Sequence, residues 1–139
     1  MALPPLIPRE ALFGNPDRLC VRISPDGRQL GCIAPLNGVL NVWVRPVEGG
    51  GARAVTNDTH RGIREFSWAY DGRSLLYVQD RDGDENWHVY TVDLETGQAR
   101  DLTPYEGVMA AALHLSPAHP DTALVALNRD NPQLHDLYH

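Results

Sequence analysis

Ile23-Ser24-Pro25-Asp26-Gly27-Arg28-Gln29-Leu30 returns 45 residues later as Trp68-Ala69-Tyr70-Asp71-Gly72-Arg73-Ser74-Leu75. In both, an Asp-Gly pair separates two apolar segments. Glycine adopts φ > 0 without steric cost and aspartate bonds the turn backbone, so each stretch predicts a hairpin corner. The likeness continues with Val42-Trp43 over Val89-Tyr90, then Ala52-Arg53-Ala54-Val55-Thr56 over Ala99-Arg100-Asp101-Leu102-Thr103. The offset there is 47, so two residues are inserted between the two blocks. A degraded third copy opens at Leu115-Ser116-Pro117 and reaches Leu137-Tyr138.

Each copy reads as strands. Leu19 to Ile23 and Arg64 to Trp68 alternate apolar and polar residues, the period of a half-buried strand. After the Asp-Gly corner comes an apolar strand at Leu30–Ala34, Leu75–Val78 and Thr122–Leu127. A third strand follows at Leu40–Val44, Trp87–Val92 and Leu134–Tyr138, and a short fourth ends in Thr56 or Thr103. Met109 to Leu113 predicts the strand that enters the third copy. Four strands every 45 to 47 residues is the period of a β-propeller blade. The expected fold is therefore all-β: a partial propeller of WD40-like four-stranded antiparallel blades, about three in number, with the ring not closed. The expected units are an N-terminal extended segment (1–18), blade one (19–61), blade two (62–108) and an incomplete blade three (109–139).

Composition agrees with this reading. The 139 residues are 42% hydrophobic, enough for a packed core, and 12 glycines with 11 prolines suit many turns. The net charge of −6, without a basic run, argues against nucleic acid and anionic membranes as partners. No apolar stretch approaches the roughly 20 residues of a membrane span, and the N-terminus does not read as a secretory signal, so a cytoplasmic location is expected. Cys20 and Cys32 straddle the first corner and are expected to be buried free thiols.

The opening Leu6-Ile7-Pro8-Arg9-Glu10-Ala11-Leu12-Phe13-Gly14-Asn15-Pro16, followed by the Ser-Pro-Asp-Gly corner, resembles the start of the prolyl oligopeptidase (S9) family of serine peptidases. The likeness is to their dipeptidyl- and acylaminoacyl-peptidase-like bacterial members. Asp80-Arg81-Asp82-Gly83-Asp84-Glu85-Asn86-Trp87-His88-Val89-Tyr90 is similar to that group's second blade. The Ser-Pro-Asp-Gly corner also occurs in TolB-like and other WD40-like propellers. The resemblance runs from Leu6 to Tyr138.

That resemblance implies a longer parent, in which a propeller caps a C-terminal α/β-hydrolase domain with a Ser-Asp-His triad. The partners it implies are that hydrolase domain and its peptide substrates, and the propeller gates their access. None of Ser24, Ser67, Ser74 and Ser116 has the glycines of a G-x-S-x-G elbow on both sides, so no catalytic residue is assigned and the chain is expected to be a fragment. The alternative is a TolB-like scaffold for protein interactions, with no attached enzyme. Open blade edges also invite self-association.

Asp80, Asp82, Asp84 and Glu85 form the densest acidic cluster. As a calcium loop it fails, because the sixth and twelfth positions hold Glu85 and Thr91 where glycine and an acidic residue are needed. It is expected to be a solvated hairpin loop. Asp84 and Glu85 are the weak candidates for contact with a substrate amino group. The six histidines are scattered, and no metal or cofactor is expected. Trp43 and Tyr90 share a repeat slot, which predicts that both pack between blades.

Overall fold

The computed structural model describes residues 6–13 and 17–139. Within the stretch expected to be extended, Arg9–Phe13 form a short helix, α1. Residues 1–5, and Gly14, Asn15 and Pro16 at the end of the opening motif, lie outside the described residues.

Eleven strands follow: β1 (Leu19–Ile23), β2 (Gln29–Leu36), β3 (Val39–Pro46), β4 (Arg53–Ala54), β5 (Phe66–Trp68), β6 (Ser74–Gln79), β7 (His88–Asp93), β8 (Ala99–Asp101), β9 (Ala110–Ser116), β10 (His119–Leu127) and β11 (Asp136–Tyr138). They make two four-stranded antiparallel meanders, β1-β2-β3-β4 and β5-β6-β7-β8, and a three-stranded sheet, β9-β10-β11.

The Asp-Gly pairs sit at matching corners. Gly27 and Gly72 both have φ of 73°, in the left-handed region that favours glycine. In the first corner Asp26 accepts from the N–H of Arg28 at 3.0 Å and from the Ser24 hydroxyl at 2.5 Å. In the second, Asp71 accepts from the N–H groups of Arg73 and Ser74, both at 2.9 Å. Each corner is closed by a backbone pair, Ser24 with Gln29 (2.8 Å) and Ala69 with Ser74 (3.0 Å).

The two inserted residues fall between the second and third strands. In blade one this connection is the tight Asn37-Gly38 turn, with φ of 51° and 86°. In blade two it is the loop 80–87 that carries the acidic cluster.

Blade two is buried on both faces, which is why its second strand is apolar throughout its centre, Leu75–Val78. Leu75 and Tyr77 point toward blade one and join a core with Ile33, Val42, Phe66 and Val92. Leu76 and Val78 point the other way and join a core with Val89, Ala110, Val125 and Leu127. Alternate residues of one strand thus serve two interfaces. Gly31 on β2 lets the rings of Phe66 and Trp68 approach its backbone, and the Trp68 indole N–H donates to the Arg22 carbonyl across the interface at 3.2 Å.

The threonines that close the fourth strands do the same task twice. Thr56 Oγ1 accepts from the N–H of Val42 at 2.9 Å, and Thr103 Oγ1 accepts from the N–H of Val89 at 3.0 Å. Both valines are fully buried, so each hydroxyl satisfies a donor that water cannot reach. In blade one the network extends to buried Asn41, which accepts from the Thr56 hydroxyl (2.9 Å) and the Asp58 N–H (2.7 Å).

Two expectations are corrected. Cys20 and Cys32 are free thiols, but neither is buried: Cys32 is half-buried, and Cys20 is exposed in a bulge with φ of 50°, where β1 shifts register against β2. Trp43 does not pack between blades as Tyr90 does. Tyr90 packs against the core shared with blade one, whereas the same slot on blade one faces away from blade two. Half-buried Trp43 instead bonds its indole N–H to the Ala34 carbonyl at 3.1 Å.

The β7–β8 turn carries a pH-sensitive contact. Asp93 accepts from the N–H groups of Thr96 (2.8 Å) and Glu95 (2.9 Å) and from Arg73 Nε (3.0 Å). The Thr96 amide and the Arg73 guanidinium hold its carboxyl well below the usual carboxylate range. At the first corner the Ser24 hydroxyl and the Arg28 N–H lower Asp26 in the same direction. For a carboxyl lowered on folding, the stabilisation is fully present above the unfolded value, about 4, and drains as pH falls through the folded value. The melting temperature is therefore expected to decline from pH 4 to pH 2. Asp93→Asn should flatten that decline in a thermal-melt series over the same range; an unchanged slope would count against the contact.

Candidate functional site

The acidic loop is anchored to blade one at its base. Asp80, expected to be solvated, is buried, because Arg61 from the connection between β4 and β5 reaches over it. Arg61 donates from Nε to Oδ1 and from Nη2 to Oδ2, both at 3.3 Å. The forked guanidinium matches the carboxylate and compensates its burial. Arg61 also lies beside Gly83, and His60 stands 3.8 Å from Asp82. The connection leaving blade one thus grips the loop of blade two.

Beyond that base the loop is exposed. Asp82, Gly83 and Glu85 all have left-handed φ (55°, 91° and 60°), and the Asp84 carboxylate organises the turn. It accepts from the N–H groups of Arg81 (3.2 Å) and Asn86 (3.0 Å) and from Asn86 Nδ2 (3.3 Å). Desolvation is the largest single influence and raises its pKa, but the Asn86 and Arg81 donors together outweigh it and hold the carboxyl below the usual range. Most of its acceptor capacity is therefore spent on the loop itself. Glu85 is exposed at the tip.

Beside the loop lies an open pocket of about 690 Å³, lined by Arg81, Asp84, His88, Tyr90, Asp101 and Tyr105 among others. His88 Nδ1 lies 2.7 Å from Asp101 Oδ2, and both side chains are largely buried. The imidazole stacks beside Tyr90, which itself stacks on Tyr77 with centroids 5.3 Å apart. Burial pushes the Tyr77 hydroxyl up to about 12, so it stays a neutral phenol. Glu85 is not among the lining residues described for this pocket; Asp84 is.

Sequence reasoning missed the His88–Asp101 pair. The two are 13 residues apart, and it is the β7–β8 register, Tyr90 opposite Asp101, that places them diagonally. The repeat gave no cue, because their counterparts on blade one are Asn41 and Ala54. No serine lines the pocket: Ser24 is engaged in its corner, and Ser67, Ser74 and Ser116 lie elsewhere. Among the described residues no three His, Cys, Asp or Glu side chains converge closely enough to hold a metal ion, and no helix is long and apolar enough to cross a membrane.

Stacked four-stranded meanders with matching corners and a core between each pair define a β-propeller, of which three successive blades are present and the ring is open. No family model matches the chain. Among characterised proteins it is 53% identical over 134 residues to dipeptidyl aminopeptidase BIII of Pseudoxanthomonas mexicana, covering 96% of this chain and 19% of that protein. The chain thus spans about a fifth of the length of the curated relatives it matches first. Among solved structures it superposes on TolB from Agrobacterium tumefaciens with a TM-score of 0.61 at 24% identity, over 83% of this chain and 39% of that one. The β-propeller domain of the trilobed protease from Pyrococcus furiosus gives 0.55 at 18% identity, over 88% of this chain and 43% of that one. These structural likenesses establish the fold. The sequence likeness is to dipeptidyl peptidases over 96% of this chain, as the resemblance to the propeller region of the prolyl oligopeptidase (S9) peptidases implies.

Proposed function

We propose that this chain supplies blades of the propeller that caps an S9-type serine peptidase, and that it gates the passage of short peptides to an α/β-hydrolase domain elsewhere in the parent. The observation that carries this reading is the 53% identity to a dipeptidyl aminopeptidase, sustained over 96% of the chain. In this reading bond cleavage belongs to the hydrolase partner, where a serine, a histidine base and an oxyanion hole perform acyl transfer. The blades contribute a rigid wall. In this reading the acidic loop tip offers Glu85 to a substrate's amino group, with Asp84 the lesser contributor because its oxygens are already engaged. The scaffold alternative rests on fold likeness alone.

A chimera tests the proposal. The matching stretch of the Pseudoxanthomonas mexicana enzyme is replaced by residues 6–139 of this chain, and turnover of chromogenic dipeptide substrates is measured. The chimera should fold and retain dipeptide release within about tenfold of the parent enzyme, because a uniformly transplanted wall leaves the reacting groups untouched. The 139-residue chain alone should give no turnover. A folded but inactive chimera, or turnover by the chain alone, would overturn the reading.

A further inference from the structure

The acidic loop of blade two is held by a chain of polar contacts that begins inside blade one. Asn41 on β3 is completely buried. Its Oδ1 accepts from the Asp58 N–H at 2.7 Å, and its Nδ2 donates to the Asp58 carbonyl at 2.9 Å. The Asp58 carboxylate accepts in turn from the Gly62 N–H, and the Ile63 N–H donates to the Leu40 carbonyl at 2.8 Å. A Cβ placed on Gly62 would stand 3.1 Å from the Leu40 Cβ and N, so this connection lies directly on the β3 backbone. Arg61 is thus fastened to blade one on both sides, while its guanidinium crosses to Asp80 on blade two.

The Asp80 side chain is only 1% exposed. Without Arg61 a carboxylate so deeply buried loses the cation that compensates it and must turn toward water, taking the base of the loop with it. The other hold from blade one is weak: His60 and Asp82 stand 3.8 Å apart with both side chains 73% exposed, and such pairs contribute little. The Asp84 carboxylate closes the turn on itself, which fixes the shape of the tip but not its place. The far end of the loop is tied to blade three, where the Ala110 N–H donates to the Trp87 carbonyl at 2.7 Å. Blade three uses the same position differently. Asn128 follows β10 as Asp80 follows β6, and it accepts from the Met109 N–H at 2.7 Å. Only on blade two does this hold on the preceding connection pass through a charged side chain.

We propose that Arg61 is a positioning residue for the loop tip: from blade one it sets where Glu85 stands, and so how well a cationic amino group is held there. The proposal rests on the reading above in which Glu85 meets the amino group of a peptide substrate. Two effects of Arg61 on such a ligand oppose each other. Its own charge weakens the attraction for an ammonium group, whereas its grip on Asp80 keeps the Glu85 carboxylate in place. Breaking the pair from either side separates the two effects. Arg61→Leu leaves the surroundings more negative, and Asp80→Asn leaves them less negative. A pure field effect would move KM in opposite directions in the two variants; a displaced tip raises it in both.

The chimera carrying residues 6–139 provides the test, assayed on chromogenic dipeptide substrates with a free amino terminus. Arg61→Leu and Asp80→Asn should each raise KM about fivefold, the worth of an exposed charge pair, with kcat within about twofold. Glu85→Gln should raise KM to the same extent. Arg61→Leu combined with Glu85→Gln should be no worse than Glu85→Gln alone, because Arg61 acts through Glu85. A KM that moves in opposite directions in the two pair variants, stays unchanged in both, or adds fully with Glu85→Gln overturns the proposal and leaves the peptidase reading standing. An unchanged KM in Glu85→Gln overturns the amine contact itself, and an inactive chimera overturns both. Circular dichroism verifies the sheets, and Arg61→Gln takes the place of Arg61→Leu should the latter unfold.

Discussion

Phe66→Ala will lower the stability of the chain by about 3–5 kcal/mol, the range for removing a large aromatic side chain from a closed core. Phe66 is almost completely buried between blades one and two, edge-on to Trp68 with ring centroids 6.4 Å apart. Its ring also rests against Gly31, so the vacated space is walled by the β2 backbone and by Ile33 and Tyr77, which cannot collapse into it without shifting a strand. A loss of this size is a large part of the roughly 5–15 kcal/mol that holds an ordinary domain folded. In a thermal melt it amounts to a drop on the order of 10–20 °C. The repeat supplies the control. Val21 holds the same slot on blade one and is exposed, so Val21→Ala should change stability by only about 0.5 kcal/mol or less. Equal effects at the two positions would mean that blade one and blade two do not meet through this face.

Gly31→Val is the second large effect, and it acts by overfilling. A Cβ placed on Gly31 would lie 2.8 Å from Phe66 Cε2 and Cζ and 3.0 Å from Trp68 Cζ2, closer than carbon atoms approach one another. Both rings are buried and held by neighbours on every side, so the added methyls must push blade two away from blade one. The cost is expected at the upper end of the 1–3 kcal/mol typical of overpacking, about 3 kcal/mol. The two substitutions occupy the same space and should not add. In a Phe66→Ala background, Gly31→Val should cost clearly less than in the native chain, because part of the vacated ring volume receives the new side chain. Chemical denaturation of the four members of this cycle measures the coupling, and strict additivity would place Gly31 and Phe66 apart.

Much of this was legible in the sequence because a propeller repeats its solutions. The Asp-Gly corners at Gly27 and Gly72, the terminal Thr56 and Thr103, and the apolar second strand all recur in equivalent places and perform equivalent tasks. A slot, however, says which face a residue takes and not whether a neighbour covers it. Trp43 and Tyr90 share a slot, yet only Tyr90 has a blade in front of it. The acidic loop was misread at Asp80 for a related reason. Its partner Arg61 comes from a connection, 19 residues earlier, that has no repeat signature. The His88–Asp101 pair was invisible because a diagonal cross-strand contact depends on register, and register is set by the turn between β7 and β8 rather than by either residue.

The account depends on successive sheets meeting face to face. Nuclear Overhauser effects across the two interfaces test that most directly. The Phe66 ring protons should show strong cross-peaks to the Gly31 Hα protons, and the Val89 methyls should show cross-peaks to those of Val125 or Leu127, the pairs brought together between blades one and two and between blades two and three. Intact meanders within each sheet, with both sets of cross-peaks missing, would contradict it.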